Sequence, residues 1–272
     1  MTEQRINAAA ATGFARGADD YERARPSYPP DAVEAIVCEA EIGPGTRVLD
    51  LAAGTGKLTR LLVPTGAAIV AVEPVDAMRE RLVGISPDVE ALDGTAESIP
   101  LPDRSVDVVT VAQAFHWFDA PVALAEIARV LRPGGTLALI WNVRDESVDW
   151  VRQFTELTVA RSGGRPYARY HATGTAGEAM TADHVETIAA SGRFGPVTER
   201  RFASPQDASI DIVVGRAAST SFVSAMPTDA REALLADLRT MLEQHPDLAG
   251  RDTFVFPHDA WVSTCRTVPA AG

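Results

Sequence analysis

Between residues 46 and 142 short runs of β-branched and aliphatic residues alternate with segments of helical periodicity, and no other feature constrains the fold of this chain as much. The strand candidates are 46–51 (TRVLDL), 68–73 (AIVAVE), 88–92 (DVEAL), 106–112 (VDVVTVA) and 135–141 (GTLALIW). Helical segments near 57–63, 75–84 and 120–131 separate them, the last (APVALAEIARVL) with an apolar residue every three or four positions. Near-continuous apolar strands joined by helices describe a parallel sheet with both faces covered, so the expectation is a doubly wound, Rossmann-like α/β fold.

Past residue 142 the alternation breaks down. Helices are expected near 147–160, 181–191, 208–218 and 228–244, and strands at 196–203 (PVTERRFA) and 260–268 (AWVSTCRTV), which brings the sheet to seven strands. The helical stretch 207–250 is then an insertion before the last strand, and 13–40, with a helix opened by Pro29-Pro30-Asp31, forms an N-terminal flap. One domain is expected: flap 1–40, cofactor-binding core 41–145, and substrate cover with the final strands 146–272.

In an open α/β sheet, ligands bind at the carboxyl ends of the strands where strand order reverses. The stretch Asp50-Leu-Ala-Ala-Gly54-Thr-Gly56 leaves the first strand there, and its glycines permit tight turning and close approach of a ligand to backbone amides. Glu73 closes the second strand, placed to accept bonds from a ribose diol. Either feature alone is weak; a glycine turn can be a plain strand-helix connection. Together they point to an adenosine-containing cofactor. A dinucleotide fingerprint requires glycine where Thr59 stands, and Gly56-Lys57-Leu58 fails the phosphate-loop pattern. Asp50 beside the bare loop suits a ligand carrying an ammonium group, such as S-adenosylmethionine.

The ordered motifs of the chain resemble those of the class I S-adenosylmethionine-dependent methyltransferases, in particular the small-molecule type 11 group that includes trans-aconitate methyltransferase. "VLDLAAGTGKLT" is similar to the first motif, with Ala52 where many members carry glycine, and it implies cofactor contacts from Asp50, Ala52, Gly54, Thr55, Gly56 and Leu58. "VAVEP" supplies Glu73 and Pro74, with Met78 near the adenine; "DGTAESIPLPDRSVDVV" supplies Gly94, Thr95 and Ala96 at the adenine edge, and an Asp107 read as structural. "AQAFHWFD" resembles the loop after the fourth strand and adds Gln113, Ala114 and Phe115, while "LRPGGTLALIWN" resembles the fifth strand. "DDYERARPSYP" is similar to the lid, with Tyr21 and Arg25 toward the cofactor and Phe14 and Tyr28 toward substrate.

Methyl transfer is an in-line displacement, so the protein must align the acceptor and exclude water, and a general base is needed only where the acceptor has to lose a proton. His116, at the end of the fourth strand, is the candidate base. Trp117, Phe118 and Trp141 are candidate walls of the acceptor pocket, able to shield a sulfonium through their ring faces. The stretch 163–174 (GGRPYARYHATG) is a candidate substrate lid. His171, His184, His245 and His258 have no metal-ligand spacing and are read as solvated or structural, and Cys38 and Cys265 as buried apolar thiols.

A net charge of −12 opposes a polyanionic partner, and the loop reading Ala112-Gln113-Ala114-Phe115 lacks the Asn/Asp-Pro-Pro-aromatic pattern of enzymes that methylate base amines. With no apolar run of membrane-spanning length, the expectation is a cytoplasmic enzyme, monomer or homodimer, that methylates a small organic molecule on oxygen without a metal. Two alternatives stay open: an NAD-dependent oxidoreductase with an atypical turn, and a cofactor-binding regulator without turnover.

Overall fold

The computed structural model describes residues 26–161 and 176–268. Seven strands form one sheet: β1 (Arg47–Leu51), β2 (Ala68–Val72), β3 (Glu90–Leu92), β4 (Val106–Ala112), β5 (Leu131–Arg144), β6 (Thr198–Ala203) and β9 (His258–Arg266). They lie in the order β3-β2-β1-β4-β5-β9-β6. The first five run parallel, and β9 is antiparallel to both neighbours. From β1 the chain steps outward to β2 and β3, then returns to lay β4 on the other side of β1. Strand order therefore reverses between β1 and β4, and the carboxyl ends of those two strands frame the crevice that the sequence predicts.

The period-2 alternation of the strands divides their side chains between two cores. One face gathers Leu49, Leu51, Val109, Val111, Leu139 and Trp141 beneath the helix α4 (Ala120–Val130), which contributes Ala123, Leu124, Ile127 and Val130. Those four recur at the helical period, and full burial of each larger aliphatic side chain stabilises the fold by about 1.5–3 kcal/mol. On the opposite face Val48, Val108, Ala138 and Ile140 meet α1 (Pro30–Glu39), the short α2 (Thr59–Leu62) and Leu82 of α3 (Asp76–Ile85). Pro30 opens α1 as expected, and its last residue, Glu39, accepts from Thr264 Oγ1 of β9 at 2.6 Å.

A third apolar cluster stands apart. It joins α5 (Asp149–Ala160), α7 (Ile210–Ala218), the residue Val223 of α8 (Ser221–Ser224), α9 (Thr228–Gln244) and a ribbon of β7 (Gln206–Ala208) with β8 (Phe254–Phe256). Its helices α7, α8 and α9 lie in the expected insertion 207–250, while α5 joins them from before the sixth strand. The ribbon is a difference: three-residue strands such as Phe254-Val-Phe256 are too short to declare an alternating pattern. The helix α6 (Ala176–Ala190) begins earlier than its expected start at 181. Cys265 is buried and its thiol is pushed up to about 12, whereas Cys38 is exposed on the outer side of α1, correcting the reading of both as buried.

Candidate active site

The turn after β1 is built from backbone that side chains rarely tolerate. Ala52, Gly54 and Gly56 have φ of +55°, +59° and +80°. A Cβ on Gly56 would lie 2.9 Å from Leu82 Cγ, so that glycine is required by conformation and by space. Ala52 holds a left-handed conformation with a Cβ attached, which costs about 1–2 kcal/mol and explains why related motifs favour glycine there. Substituting Ala52→Val, with a β-branched side chain at positive φ, is expected to cost about 1–3 kcal/mol more, seen as a lower urea midpoint at unchanged slope. Gln113, directly after β4, is also left-handed, at φ +59°. Two non-glycine residues held in this region at adjacent strand ends mark the place where packing over-determines the backbone, a pattern that clusters at functional sites.

Glu73 is the keystone of the crevice. Its Oε2 accepts from the Gly54 amide at 2.8 Å and its Oε1 from the Val75 amide at 2.9 Å, so one carboxylate ties the glycine turn to the end of β2. Burial pushes its pKa up to about 6 against the lowering effect of those amides and of Arg79. Each oxygen keeps a further lone pair, as a vicinal diol requires. Among the described residues, a Cβ on Gly54 would find Met78 Sδ at 3.9 Å. Glu73, Gly54 and Met78 thus form a cradle with an acceptor at one end and a polarizable apolar atom at the other, a fit for the ribose and flat base of an adenosyl group.

Asp50 departs from its expected role. It is fully buried beneath the turn, with Oδ2 accepting from Thr59 Oγ1 at 2.5 Å and Oδ1 from Thr110 Oγ1 at 3.0 Å. Desolvation lifts its pKa to about 6. Instead of presenting a carboxylate to a ligand ammonium, it holds the first turn of α2 against β4 and places negative potential under the loop. Thr59, which breaks the dinucleotide pattern, is therefore the donor that anchors this acid.

The remaining cofactor candidates fall on both sides of the cradle. Thr95 and Ala96 follow β3 in a turn closed by the Ser98 amide on Thr95 O at 3.2 Å, and Ala96 is buried. Gly94 has a steric reason: a Cβ there would sit 2.6 Å from Pro100 Cδ. Pro74 follows Glu73 on the way into α3. Thr55 and Leu58 are buried, and the Leu58 side chain packs in the sheet core. Ala114 and Phe115 are buried as well, so Phe115 shapes the crevice floor from beneath. Asp107 lies at the opposite end of β4, accepting from the Arg47 amide at 2.8 Å and pairing with Arg132; it is structural, as read.

Beyond β4 the aromatic candidates converge. Phe115, His116 and Trp117 form one 3-10 turn, with the His116 ring 4.6 Å from Trp117 and 5.3 Å from Trp141, centroid to centroid. Phe118 packs edge-on against Phe115 at 5.7 Å. His184 of α6 joins them, stacked on Trp141 at 5.1 Å and edge-on to Phe115 at 5.0 Å. It is 4% exposed, and burial lowers its pKa to about 4, so the imidazole is neutral at physiological pH. Of its two readings, solvated or structural, burial leaves the structural one, and nothing local in Thr181-Ala-Asp-His184 announces the rings that tertiary folding brings to it. His245 and His258 are structural and buried, the former on Asp149 at 3.1 Å and the latter on Phe256 O at 3.0 Å. Tyr28, assigned to substrate by the resemblance, is buried and packs with residues of α1 in the second core cluster. Phe14, Tyr21, Arg25 and the stretch 163–174 lie outside the described residues.

Comparison with known proteins identifies the family and the fold. Residues 49–139 match the family described as "Methyltransferase domain". An uncharacterized methyltransferase of Mycobacterium tuberculosis is 42% identical over 258 residues, spanning 95% of this chain and 96% of the relative. A second, from Schizosaccharomyces pombe, is 35% identical over 238 residues, 87% of this chain and 90% of the relative. Among solved structures, a putative methyltransferase from an antibiotic biosynthesis pathway of Anabaena variabilis superposes with a TM-score of 0.62 at 20% identity, covering 85% of this chain and 95% of the other.

Proposed function

The chain belongs to the class I S-adenosylmethionine-dependent methyltransferases, and from that premise we propose that it methylates the oxygen of a small organic acceptor held between the β4 and β5 strand ends. The observation that carries this reading is the Glu73 carboxylate bridging the Gly54 and Val75 amides beside the open face of Gly54. In this reading Glu73 receives the ribose hydroxyls, Met78 and Ala96 border the base, and Asp50 supports the turn from below.

When bound, the cofactor supplies an electrophilic methyl group on a sulfonium. The chain's own share is alignment and dryness. Trp117, Phe118 and Trp141 exclude water and offer ring faces to positive charge. His116, in the turn that ends β4, is the group placed to take the acceptor's proton as oxygen becomes nucleophilic. An oxidoreductase is disfavoured by the residue at position 59, since Thr59 is committed to Asp50 where a dinucleotide turn needs glycine.

Calorimetric titration with S-adenosylmethionine, S-adenosylhomocysteine and NADH tests the reading. Saturable binding of the two sulfur compounds and none of NADH is expected; binding of NADH alone would overturn it.

A further inference from the structure

We propose that His184 is an acceptor-contacting residue that, with the Trp141 indole, selects a planar molecule by its hydroxyl group. The inference deepens the methyl-transfer reading and rests on it for the location of the acceptor.

Three buried polar atoms stand together in this cluster. Both ring nitrogens of His184 and Nε1 of Trp141 are buried without a hydrogen-bond partner among the described residues. Native interiors rarely leave such groups unsatisfied, and each exception calls for an explanation. Among the described residues such atoms also occur at Asn142, Thr155, Gln206 and Trp261, but these three share one ring stack, 5.1 Å between centroids, at the ligand-side end of β5. A core position would be served better by phenylalanine, which fills the same shape with no polar atom to satisfy. Retaining an imidazole at that cost is what a residue kept for a ligand looks like.

The chemistry of the pair narrows the ligand. An indole N–H can only donate; a neutral imidazole donates at one nitrogen and accepts at the other. A hydroxyl accepts from the first and donates to the second. A carboxylate cannot donate, and its charge is costly among Phe115, Trp117, Phe118 and Trp141. An ammonium cannot accept. The aromatic rings favour a flat partner that can stack against them. The acceptor class is therefore an uncharged, planar molecule bearing a phenolic or enolic hydroxyl.

The test compares phenol, un-ionised at neutral pH, with its methyl ether, anisole, in competition binding to the protein loaded with S-adenosylhomocysteine. Wild type is expected to prefer the phenol by about tenfold or more, the discrimination given by one buried hydrogen bond. His184→Phe is expected to cut that preference to threefold or less, with S-adenosylhomocysteine affinity unchanged and the melting temperature raised by about 2–4 °C. Equal binding of phenol and ether by wild type, failure of wild type to bind the phenol, or an undiminished preference in His184→Phe would each overturn the proposal. Loss of S-adenosylhomocysteine binding by the wild type would instead count against the methyl-transfer reading beneath it.

Discussion

Glu73→Gln is expected to weaken S-adenosylmethionine binding by about 10- to 100-fold at neutral pH, corresponding to roughly 1.5–3 kcal/mol for a charged hydrogen-bonding group. Glutamine keeps the size of the side chain but has one acceptor oxygen where glutamate has two. It can serve the Gly54 amide or the Val75 amide, not both, so the turn loses its tether as well as the ribose acceptor. The effect has a pH signature. Glu73 has its folded pKa raised to about 6, so its stabilising contribution is present below the unfolded value and is lost as pH rises through 6, where the buried group ionises. Ligand binding runs the other way, because the ionised form is the better acceptor for two hydroxyls. The dissociation constant of the wild type should be flat above about pH 7 and rise by up to tenfold per unit below about 6. Asp50 sits close enough to raise Glu73 and titrates in the same range, so the two acids share this transition. Calorimetry from pH 5 to pH 8 checks it; an affinity independent of pH in the wild type, or unchanged in Glu73→Gln, would remove Glu73 from the site.

The sheet and the cradle were legible in the sequence because their signals are local. Val48-Leu-Asp-Leu51 and Val106-Asp-Val-Val-Thr-Val111 are largely apolar, as strands covered on both faces must be, and Glu73 ends the strand that follows the glycine turn. What stayed hidden depends on contacts between distant segments. The Thr59 and Thr110 hydroxyls that engage Asp50 lie 9 and 60 residues away from it, so its acid reads as ligand-facing until the fold turns it inward. The aromatic wall was half visible: Phe115 to Phe118 are contiguous, while His184 reaches them from a helix 66 or more positions later. Ala52 illustrates a different limit. Its small side chain looked harmless, and only its φ of +55° reveals that a single methyl group is strained there.

Phe154→Ala is expected to cost about 3–5 kcal/mol, and to spend that loss on the cover before the sheet. Phe154 is fully buried in the third cluster, its ring edge-on to Phe256 at 5.9 Å and carrying the Arg144 guanidinium 4.8 Å above it. Truncation leaves a cavity between α5 and the β7–β8 ribbon and removes the ring that positions a charged residue at the end of β5. Neither sheet core includes this residue. Hydrogen exchange should therefore quicken in α5, α7 and α9 while β1, β2 and β4 keep their protection, since cooperative units open separately where few apolar contacts join them. S-adenosylhomocysteine affinity should stay within about twofold of wild type, because the cradle is built from the turns after β1 and β2 and the start of α3, none of which belongs to the third cluster. Methyl transfer should fall, because the acceptor loses the cover that keeps water out. Uniform loss of protection across the sheet would show instead that the insertion and the cofactor core form one cooperative unit, and that the acceptor side cannot loosen without releasing the cofactor.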